Sequence, residues 1–382
     1  MVYFDNAATS FPKPSSVYRK WQQAMSAYGA NPGRSGHKFS QKTAEAVFAS
    51  RAKCAELFGA EPENVIFTLN CTHALNFAIK GLADRGGGFA ISDMEHNAVV
   101  RPIAALAQEN GRDFNDYCTM FEASEDEEVT LRNARRAIRP NTVAMVCTAA
   151  SNVIGLRTPI CRLYELCREK GIPLIVDAAQ GAGTLPITLD CADFICAAGH
   201  KGLYGPMGTG LLVTNGKYPL KTLIEGGTGS ASESLYQPDF VPDRFESGTI
   251  NTAGVIALGE GVEFVKSRTP ERILAHELAL CRHFCAEAER ISGVRLYNRI
   301  TRNNSYIYAP VVSFNFEGIP STEGAEMLSN RGFYMRGGLH CAPTAHRKIG
   351  TLESGTIRFA PSVFNTEQEV EALLRAMRSV KR

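Results

Sequence analysis

The middle of the chain alternates short apolar runs with helical patterns, and this alternation constrains the fold more than any other feature. Each apolar run has the length of a buried strand, and most are followed by apolar residues at helical spacing. The predicted strands are 65–68, 89–92, 142–148, 172–176, 194–197 and 210–214, and the predicted helices are 72–82, 98–108 and 160–169. This order predicts an α/β fold with a mostly parallel sheet and helices on both faces. Functional sites in such sheets lie at the carboxyl ends of the strands.

The segments that flank this region have a different character. Helical patterns at 15–28 and 40–58 precede it, and the stretch 219–244 after it is rich in loop residues. The remaining predicted elements are helices at 254–266, 270–291, 321–330 and from 367, strands at 294–297, 311–316 and 356–359, and an irregular stretch at 332–350. We therefore expect a large α/β domain over 15–249 and a small α+β domain that combines 1–14 with 250–382.

Composition narrows the class of protein. The 382 residues carry 41 Lys and Arg against 39 Asp and Glu, with no basic block, so we expect neither nucleic acid nor an anionic membrane as a partner. No apolar run reaches the length of a membrane span, and polar residues Asp5 and Asn6 stand where a signal peptide would be apolar. The 11 cysteines form no C-x-x-C pair, which favours reduced thiols and a cytoplasmic location.

A lysine at the exit of a buried strand is the first candidate for chemistry. The apolar run 194–198 ends at Gly199, and His200 and Lys201 follow before a glycine-rich loop. Burial lowers the pKa of a lysine, and a neutral amine can bond covalently to a carbonyl group. The alternative is an exposed lysine in a turn, which is the commoner setting for this residue.

An aspartate ends the preceding predicted strand. Asp177 follows the apolar run 172–176, and a buried carboxylate is costly unless a cation or hydrogen-bond donors meet it. The protonated nitrogen of a pyridine ring is such a partner, and Asp177 with Lys201 on a neighbouring strand is typical of enzymes that use pyridoxal 5′-phosphate (PLP). The alternative is a helix cap or a structural ion pair.

Polar residues follow the other predicted strands as well. Thr72 and His73 open a helix, where backbone N–H groups bind phosphate. His96 lies at a strand-to-helix junction, and its ring is suited to stacking on a planar group. Asn152 and Gln180 follow two further strands. Each residue has an ordinary alternative as a cap or turn residue, but their shared place at strand ends favours one common site.

The chain resembles the cysteine desulfurases, which are fold-type I PLP enzymes related to class V aminotransferases. The resemblance runs from Tyr3 to Arg358. It is carried by Glu95-His96-Asn97-Ala98, Val176-Asp177-Ala178-Ala179-Gln180, Gly199-His200-Lys201, Arg244-Phe245-Glu246-Ser247-Gly248-Thr249 and Arg336-Gly337-Gly338-Leu339-His340-Cys341-Ala342. The last motif matches a subgroup with R-x-G-x-H-C-A, whose members act on cysteine or selenocysteine. The resemblance implies a mostly parallel central sheet flanked by helices, with a smaller α+β C-terminal domain.

The resemblance also implies the residues that bind the cofactor. Lys201 would hold PLP through its amine, and Asp177 would pair with the pyridine nitrogen. Gln180 and Asn152 would bond the O3′ side of the ring, on which His96 would stack. The phosphate would be held by Thr72, the His73 amide, His200 and, across a homodimer interface, Thr249 of the other subunit.

Four residues are implied to bind the substrate. Arg358 would bind the substrate carboxylate, for which a guanidinium fork has suitable geometry. Asn152, Arg336 and His37 are the further candidates for this task. No metal ligands are expected.

Three residues are implied to act in catalysis. Lys201, once freed from the cofactor, would move the substrate α-proton, and His96 would lie against the ring. Cys341 would attack the sulfur of L-cysteine as a thiolate, and neighbouring cations, with His340 adjacent, would favour that thiolate. The product would be L-alanine and a persulfide on Cys341, from which an acceptor protein would take the sulfur.

Some residues depart from the family motifs. Ala198 stands where a serine usually helps to hold the phosphate, and Leu69-Asn70-Cys71-Thr72-His73 replaces T-S-G-T-T-E or R-G-T-T-E. Leu339 replaces the first histidine of H-H-C-A. We therefore expect a phosphate site with fewer hydroxyl groups.

Three alternatives remain open from the sequence. The first is a selenocysteine lyase on the same scaffold. The second is an aminotransferase or β-lyase in which Cys341 takes no part. The third is a scaffold protein without catalytic activity, against which the combination of Lys201, Asp177 and Cys341 argues.

Overall fold

The computed structural model describes residues 1–33, 36–83 and 86–380. The strands are β1 (Val2–Tyr3), β2 (Val65–Thr68), β3 (Gly88–Ser92), β4 (Cys118–Phe121), β5 (Thr142–Thr148), β6 (Leu174–Asp177), β7 (Phe194–Ala198), β8 (Gly210–Thr214), β9 (Val294–Leu296), β10 (Val312–Phe316), β11 (Phe333–Tyr334), β12 (Arg336–Gly338) and β13 (Thr356–Phe359). The helices are α1 (Ser15–Ala27), α2 (Lys38–Phe58), α3 (Cys71–Leu82), α4 (Asn97–Glu109), α5 (Phe114–Tyr117), α6 (Glu127–Ala137), α7 (Ile160–Lys170), α8 (Thr252–Arg268), α9 (Pro270–Ala288), α10 (Ser321–Ser329), α11 (Pro343–Lys348) and α12 (Glu367–Arg378).

The large sheet has seven strands in the order β2-β8-β7-β6-β5-β3-β4. The pairs β7/β6, β6/β5, β5/β3 and β3/β4 are parallel, which confirms the predicted α/β fold. β8 is antiparallel to β7 and to β2. The chain passes from β7 to β8 through a loop without a crossover helix, so β8 returns in the opposite direction.

Apolar layers cover both faces of this sheet. Ile175 and Val176 are adjacent in β6 and belong to different core clusters, because successive side chains of a strand point to opposite faces. Buried residues of α3 and α4 pack on one face, and those of α2, α7 and α8 pack on the other. The prediction of helices on both faces is therefore confirmed.

A four-stranded antiparallel sheet follows in the C-terminal part, in the order β12-β13-β10-β9. It shares a core with α9 and α12. The N-terminal strand β1 pairs with β11, and Asp5 pairs with Ala360 beyond β13. The N-terminus thus lies against the C-terminal part of the chain. The domain boundary near residue 250 stays a prediction, and the buried residues of α8 pack with the large sheet.

Sequence patterns missed several short elements. The segment 114–137 contains α5, β4 and α6, and the stretch predicted as irregular at 332–350 contains β11, β12 and α11. β4 is an edge strand with two of its four residues partly or fully exposed, so it lacks an apolar run. α6 is recognisable from its N-cap, Asp126, whose side chain accepts hydrogen bonds from two helix amides.

The expectation that all thiols are reduced is wrong for one pair. Cys161 at the start of α7 and Cys191 form a disulfide across 30 residues. The two cysteines are brought together by the chain reversal around β6, which no sequence spacing indicates. Across the described ranges, no helix is long and apolar enough to cross a membrane.

Candidate active site

The loop after β7 holds Lys201 in a fixed place. A Cβ atom on Gly199 would lie 2.2 Å from Thr209 Oγ1, and one on Gly202 would lie 2.2 Å from the Ala182 carbonyl oxygen. Neither position therefore accepts a side chain without a backbone shift. The Tyr204 N–H donates to the Lys201 carbonyl at 2.9 Å, which closes a turn around the lysine.

A cavity with about 500 Å³ of empty space, including its mouth, lies at the carboxyl edge of β5, β6 and β7. The predicted residues among its lining are Thr72, His96, Asn152, Asp177, Gln180, His200 and Lys201. The structure thus brings together residues that were predicted from five separate strand ends. Cys71 also lines the cavity, and sequence reasoning had not assigned it a role.

Asp177 is the last residue of β6 and is buried, with 2% of its surface exposed. Its Oδ1 accepts hydrogen bonds from the Ala179 N–H at 2.9 Å and from the Cys71 thiol at 3.4 Å. Burial lowers the pKa of Lys201, and the charge of Asp177 opposes this shift. The cavity therefore combines a fixed carboxylate with an amine that loses its proton more readily than an exposed lysine.

Two residues that were predicted to hold the phosphate have buried ring nitrogens that lack protein partners. His200 Nδ1 and His73 Nε2 are both buried without a hydrogen bond among the described residues. Burial lowers the pKa of both rings, that of His200 to about 4, so both are neutral near pH 7. Buried polar atoms need partners, and phosphate oxygens would supply one. The His73 N–H already donates to Asn70 Oδ1 at 2.9 Å, as the N-cap bond of α3.

His96 caps helix α4 beside the cavity. Its Nδ1 accepts a hydrogen bond from the Ala98 N–H at 3.0 Å, and burial lowers its pKa. The preceding residue, Glu95, is fully buried, and its Oε1 accepts bonds from the Thr148 N–H at 2.9 Å and from the Ser92 hydroxyl. Burial raises the pKa of Glu95 to about 8. This anchoring role of Glu95 was not predicted, although the residue stands inside the Glu95–Ala98 motif.

Two arginines face each other on neighbouring strands near the cavity. Arg336 in β12 lies directly opposite Arg358 in β13. Arg358 is 1% exposed; its Nη2 donates to Asp5 Oδ1 at 2.7 Å and its Nη1 to the Asn152 carbonyl at 3.1 Å. Like charges opposite one another destabilise a sheet unless anions offset them. Asp5 offsets one of the two positive charges, so the other charge is available to attract a second carboxylate.

Cys341 is the exposed free cysteine of the described residues, and the other free cysteines described are buried. Its carbonyl accepts a hydrogen bond from the Asn97 N–H at 2.7 Å, and the Asn152 Nδ2 donates to the carbonyl of His340 at 2.7 Å. His340 and Cys341 have φ values of 49° and 58°, a region that costs non-glycine residues about 1–2 kcal/mol each. The loop is therefore held in a strained conformation by hydrogen bonds to Asn97 and Asn152.

The cation beside Cys341 is Arg336, whose Nη2 lies 3.7 Å from Sγ. His340 does not contribute a charge, contrary to the expectation from its place in the sequence. Burial, reinforced by the charge of Arg358, lowers the pKa of His340 to about 2, and its Nε2 is bonded to the Thr356 carbonyl at 2.9 Å. Sequence adjacency could not reveal that the ring points into the core.

Six predicted residues are absent from the lining of the cavity. Four of them, His73, Arg336, Cys341 and Arg358, are described above, and the other two are His37 and Thr249. His37 is exposed and caps α2, with its Nδ1 accepting from the Ser40 N–H at 3.1 Å. Thr249 is exposed, and its hydroxyl accepts from Asn31 Nδ2 at 3.3 Å. The roles of both residues stay predictions.

Comparison with known proteins places this site in a family. The chain matches the family described as aminotransferase class-V over residues 2–373. A probable cysteine desulfurase of Methanothermobacter thermautotrophicus is 29% identical over 97% of this chain and 92% of the relative. A cysteine desulfurase of Synechococcus elongatus is 30% identical over the whole of this chain, which covers 60% of that longer relative.

Solved structures agree with this placement. The apo cysteine desulfurase of Thermococcus onnurineus superimposes with a TM-score of 0.90 at 29% identity, covering 99% of this chain and 94% of that one. The family match extends over every residue of the cavity and over the Cys341 loop. The chain therefore belongs to the class-V aminotransferase family.

Proposed function

We propose that this chain is a PLP-dependent cysteine desulfurase, which converts L-cysteine to L-alanine and retains the sulfur as a persulfide on Cys341. The observation that carries the proposal is the cavity that is lined by Lys201 and Asp177. The exposed Cys341 loop is hydrogen-bonded to Asn152, which lines the cavity, and to Asn97, whose two chain neighbours line it. The two relatives and the solved structure described above are named as cysteine desulfurases or as a probable one.

The cavity residues fit PLP. The buried carboxylate of Asp177 matches the ring nitrogen of the cofactor, and the amine of Lys201, with its lowered pKa, matches the aldehyde. The buried His200 nitrogen without a partner matches the phosphate. When bound, PLP supplies an electron sink that stabilises negative charge on the substrate α-carbon. The residues that would hold it are Lys201, Asp177, His96, Gln180, Asn152, Thr72, His73 and His200.

Lys201 and the two arginines would orient the substrate. The carboxylate of cysteine would bind to Arg358, with Arg336 on the neighbouring strand adding a second positive charge. Lys201, whose pKa is lowered by burial, would take the α-proton and return a proton at a different atom. A positioned base of this kind contributes about 10²–10⁴-fold to a rate.

Cys341 would take the sulfur. Its thiolate attacks the substrate sulfur, and an S–S bond forms as the C–S bond breaks. The electron pair of the broken bond remains with the β-carbon, which takes up a proton and becomes the methyl group of alanine. Arg336 stabilises the attacking thiolate, and the exposure of Cys341 leaves the persulfide open to an acceptor protein.

We further propose a homodimer in which Thr249 reaches the phosphate site of the other subunit. Its exposure and its place outside its own cavity support this role. A cytoplasmic location also stays a proposal, and the paired Cys161 and Cys191 do not support it.

Turnover of L-cysteine and L-selenocysteine by wild type and Cys341→Ala tests the function. The expected result is alanine from L-cysteine with wild type, and background rates with Cys341→Ala although its visible cofactor absorbance is unchanged. Turnover of selenocysteine alone, independent of Cys341, would establish a selenocysteine lyase instead. Full activity of Cys341→Ala on cysteine would establish a β-lyase.

The cofactor is tested separately. Lys201→Ala should remove the visible absorbance that develops when PLP is added to the wild-type chain. An unchanged spectrum in Lys201→Ala would contradict the assignment of Lys201.

A further inference from the structure

One short N-terminal segment contacts three parts of the proposed site, namely Arg358, Gln180 and the loop of Lys201. Residues 5–13, here called the N-terminal strap, run from the C-terminal sheet to the loop of Lys201. No role was assigned to them from the sequence beyond the resemblance of their first residues to the family.

The first end of the strap is fixed to Arg358. Asp5 accepts the 2.7 Å hydrogen bond from Arg358 Nη2, and this ion pair is largely buried, with side chains 18% and 2% exposed. The Asn6 side chain adds a bond to the Ala360 carbonyl at 3.0 Å. Asn6 Oδ1 also accepts from the Phe11 N–H at 3.0 Å, which holds the strap in a compact turn.

The middle of the strap is fixed to Gln180. The Gln180 Nε2 donates to the Ala7 carbonyl at 2.9 Å. Because Gln180 lines the cavity, the strap orients a residue that is proposed to contact the cofactor ring.

The other end of the strap is fixed to the peptide that carries Lys201. The His200 carbonyl accepts hydrogen bonds from Thr9 Oγ1 at 3.0 Å, from the Ser10 N–H at 3.1 Å and from Lys13 Nζ at 2.6 Å. The Ser10 hydroxyl donates to the Lys201 carbonyl at 2.9 Å. Three strap residues thus converge on two successive carbonyl groups.

Lys13 contributes the charged member of this network. Its Nζ also donates to Ser10 Oγ at 2.7 Å, so Lys13, Ser10 and the Lys201 carbonyl form one continuous hydrogen-bonded chain. Charge-assisted bonds are about twice as strong as neutral ones, and bonds in a chain polarise one another. Lys13 is partly buried, and burial lowers its pKa to about 8. A cation is retained here at a desolvation cost, which an exposed lysine would avoid.

We propose that the N-terminal strap sets the position of Lys201 relative to Arg358, with Lys13 and Asp5 as its two positioning residues. The reaction requires the amine at one end of the substrate and the guanidinium at the other to be held at a fixed separation. The strap spans these two points with hydrogen bonds at both ends. This inference rests on the proposed function of Lys201 and Arg358.

The test compares Lys13→Met with Lys170→Met, which removes an exposed lysine at the end of α7. Three readouts are used: hydrogen exchange of segment 196–205, the pH midpoint of the absorbance of bound PLP, and kcat and KM for L-cysteine. Lys13→Met should speed exchange about tenfold, move the midpoint and lower kcat about tenfold, with KM within about twofold. Lys13→Arg should keep most of the wild-type kcat and the slow exchange of segment 196–205, because Arg retains the positive charge and the hydrogen-bond donors.

Asp5→Asn tests the other end of the strap. Without the Asp5 charge, Arg358 should attract a carboxylate more strongly, so KM for L-cysteine should fall about fivefold and kcat should fall with it. Exchange of segment 196–205 should match wild type. If KM is unchanged, the strap does not position Arg358.

The proposal is overturned if Lys13→Met behaves as Lys170→Met in exchange and in absorbance. Ser10→Ala, which removes the hydroxyl that donates to the His200 and Lys201 carbonyls and accepts from Lys13 Nζ, provides the same comparison if Lys13→Met does not fold; about threefold faster exchange supports the strap, and wild-type exchange contradicts it. Hydrogen exchange is measured without cofactor or substrate. A chain that binds no PLP would therefore refute the proposed function and still allow the strap to be tested.

Discussion

Replacement of Arg336 by methionine should slow the reaction of Cys341 with an alkylating reagent. The Arg336 Nη2 lies 3.7 Å from Cys341 Sγ, and both residues are exposed. Two unit charges at this distance in water attract one another by about 1 kcal/mol. An energy of this size corresponds to a factor of about six in an equilibrium constant, because 1.36 kcal/mol is a factor of ten.

The expected change in rate is smaller than this factor. A more stable thiolate is a weaker nucleophile, with a Brønsted coefficient of about 0.4–0.5, so the net loss on removing Arg336 is about threefold. Salt screens exposed charges, and the Debye length falls to about 3 Å at 1 M. The difference between wild type and Arg336→Met should therefore nearly vanish at high salt.

The assay is alkylation by iodoacetamide at pH 7, followed by mass spectrometry of the peptide that contains Cys341. The reagent reports on this residue because the other free cysteines described are buried. Arg132→Met, which removes an exposed arginine from α6, is the matched control and should react as wild type. Equal rates for Arg336→Met and wild type at low salt would refute the assignment of Arg336 as the cation that stabilises the thiolate.

Three further predictions concern stability. Arg51→Met should lower the free energy of unfolding, measured in urea, by about 3–5 kcal/mol. The reason is that Arg51 forms two hydrogen bonds, of 2.7 and 2.8 Å, to the buried Glu246 carboxylate, which the variant leaves without this partner. A decrease below about 1 kcal/mol would contradict this prediction. Cys161→Ser should cost about 3–4 kcal/mol through the opened 30-residue loop to Cys191, and dithiothreitol should abolish the difference from wild type. Burial lowers the pKa of His346 to about 4, so the unfolded chain binds more protons between pH 6.5 and pH 4 and stability falls as pH drops through this window. Between pH 7 and pH 5, the free energy of unfolding should fall by about 2 kcal/mol less in His346→Gln than in wild type. An equal fall in both proteins would contradict a buried neutral ring.

The strand ends of the large sheet could be predicted because fully buried strands appear as uninterrupted apolar runs. Asp177 directly follows the apolar run 172–176, and Lys201 lies three residues after the run 194–198. Because β6 and β7 are parallel, both residues lie at the same carboxyl edge of the sheet. This local signal sufficed to place seven of the predicted residues around one cavity. It failed for β4, because an edge strand with exposed residues has no apolar run.

Contacts between distant parts of the chain were not predictable in this way. The bonds from Lys13 to the His200 carbonyl and from Asn152 to the His340 carbonyl join residues 187 and 188 positions apart. The neutral state of His340 depends on burial, which its neighbours in the sequence do not reveal. The disulfide between Cys161 and Cys191 likewise depends on a chain reversal.

The mass of the Cys341 peptide after reaction with L-cysteine tests the central claim most directly. The wild-type chain loaded with PLP should release alanine and gain one sulfur atom on Cys341 for each alanine formed in the first turnover, before a reductant is added. Formation of alanine while Cys341 remains unmodified, or with the sulfur on another cysteine, would contradict the account.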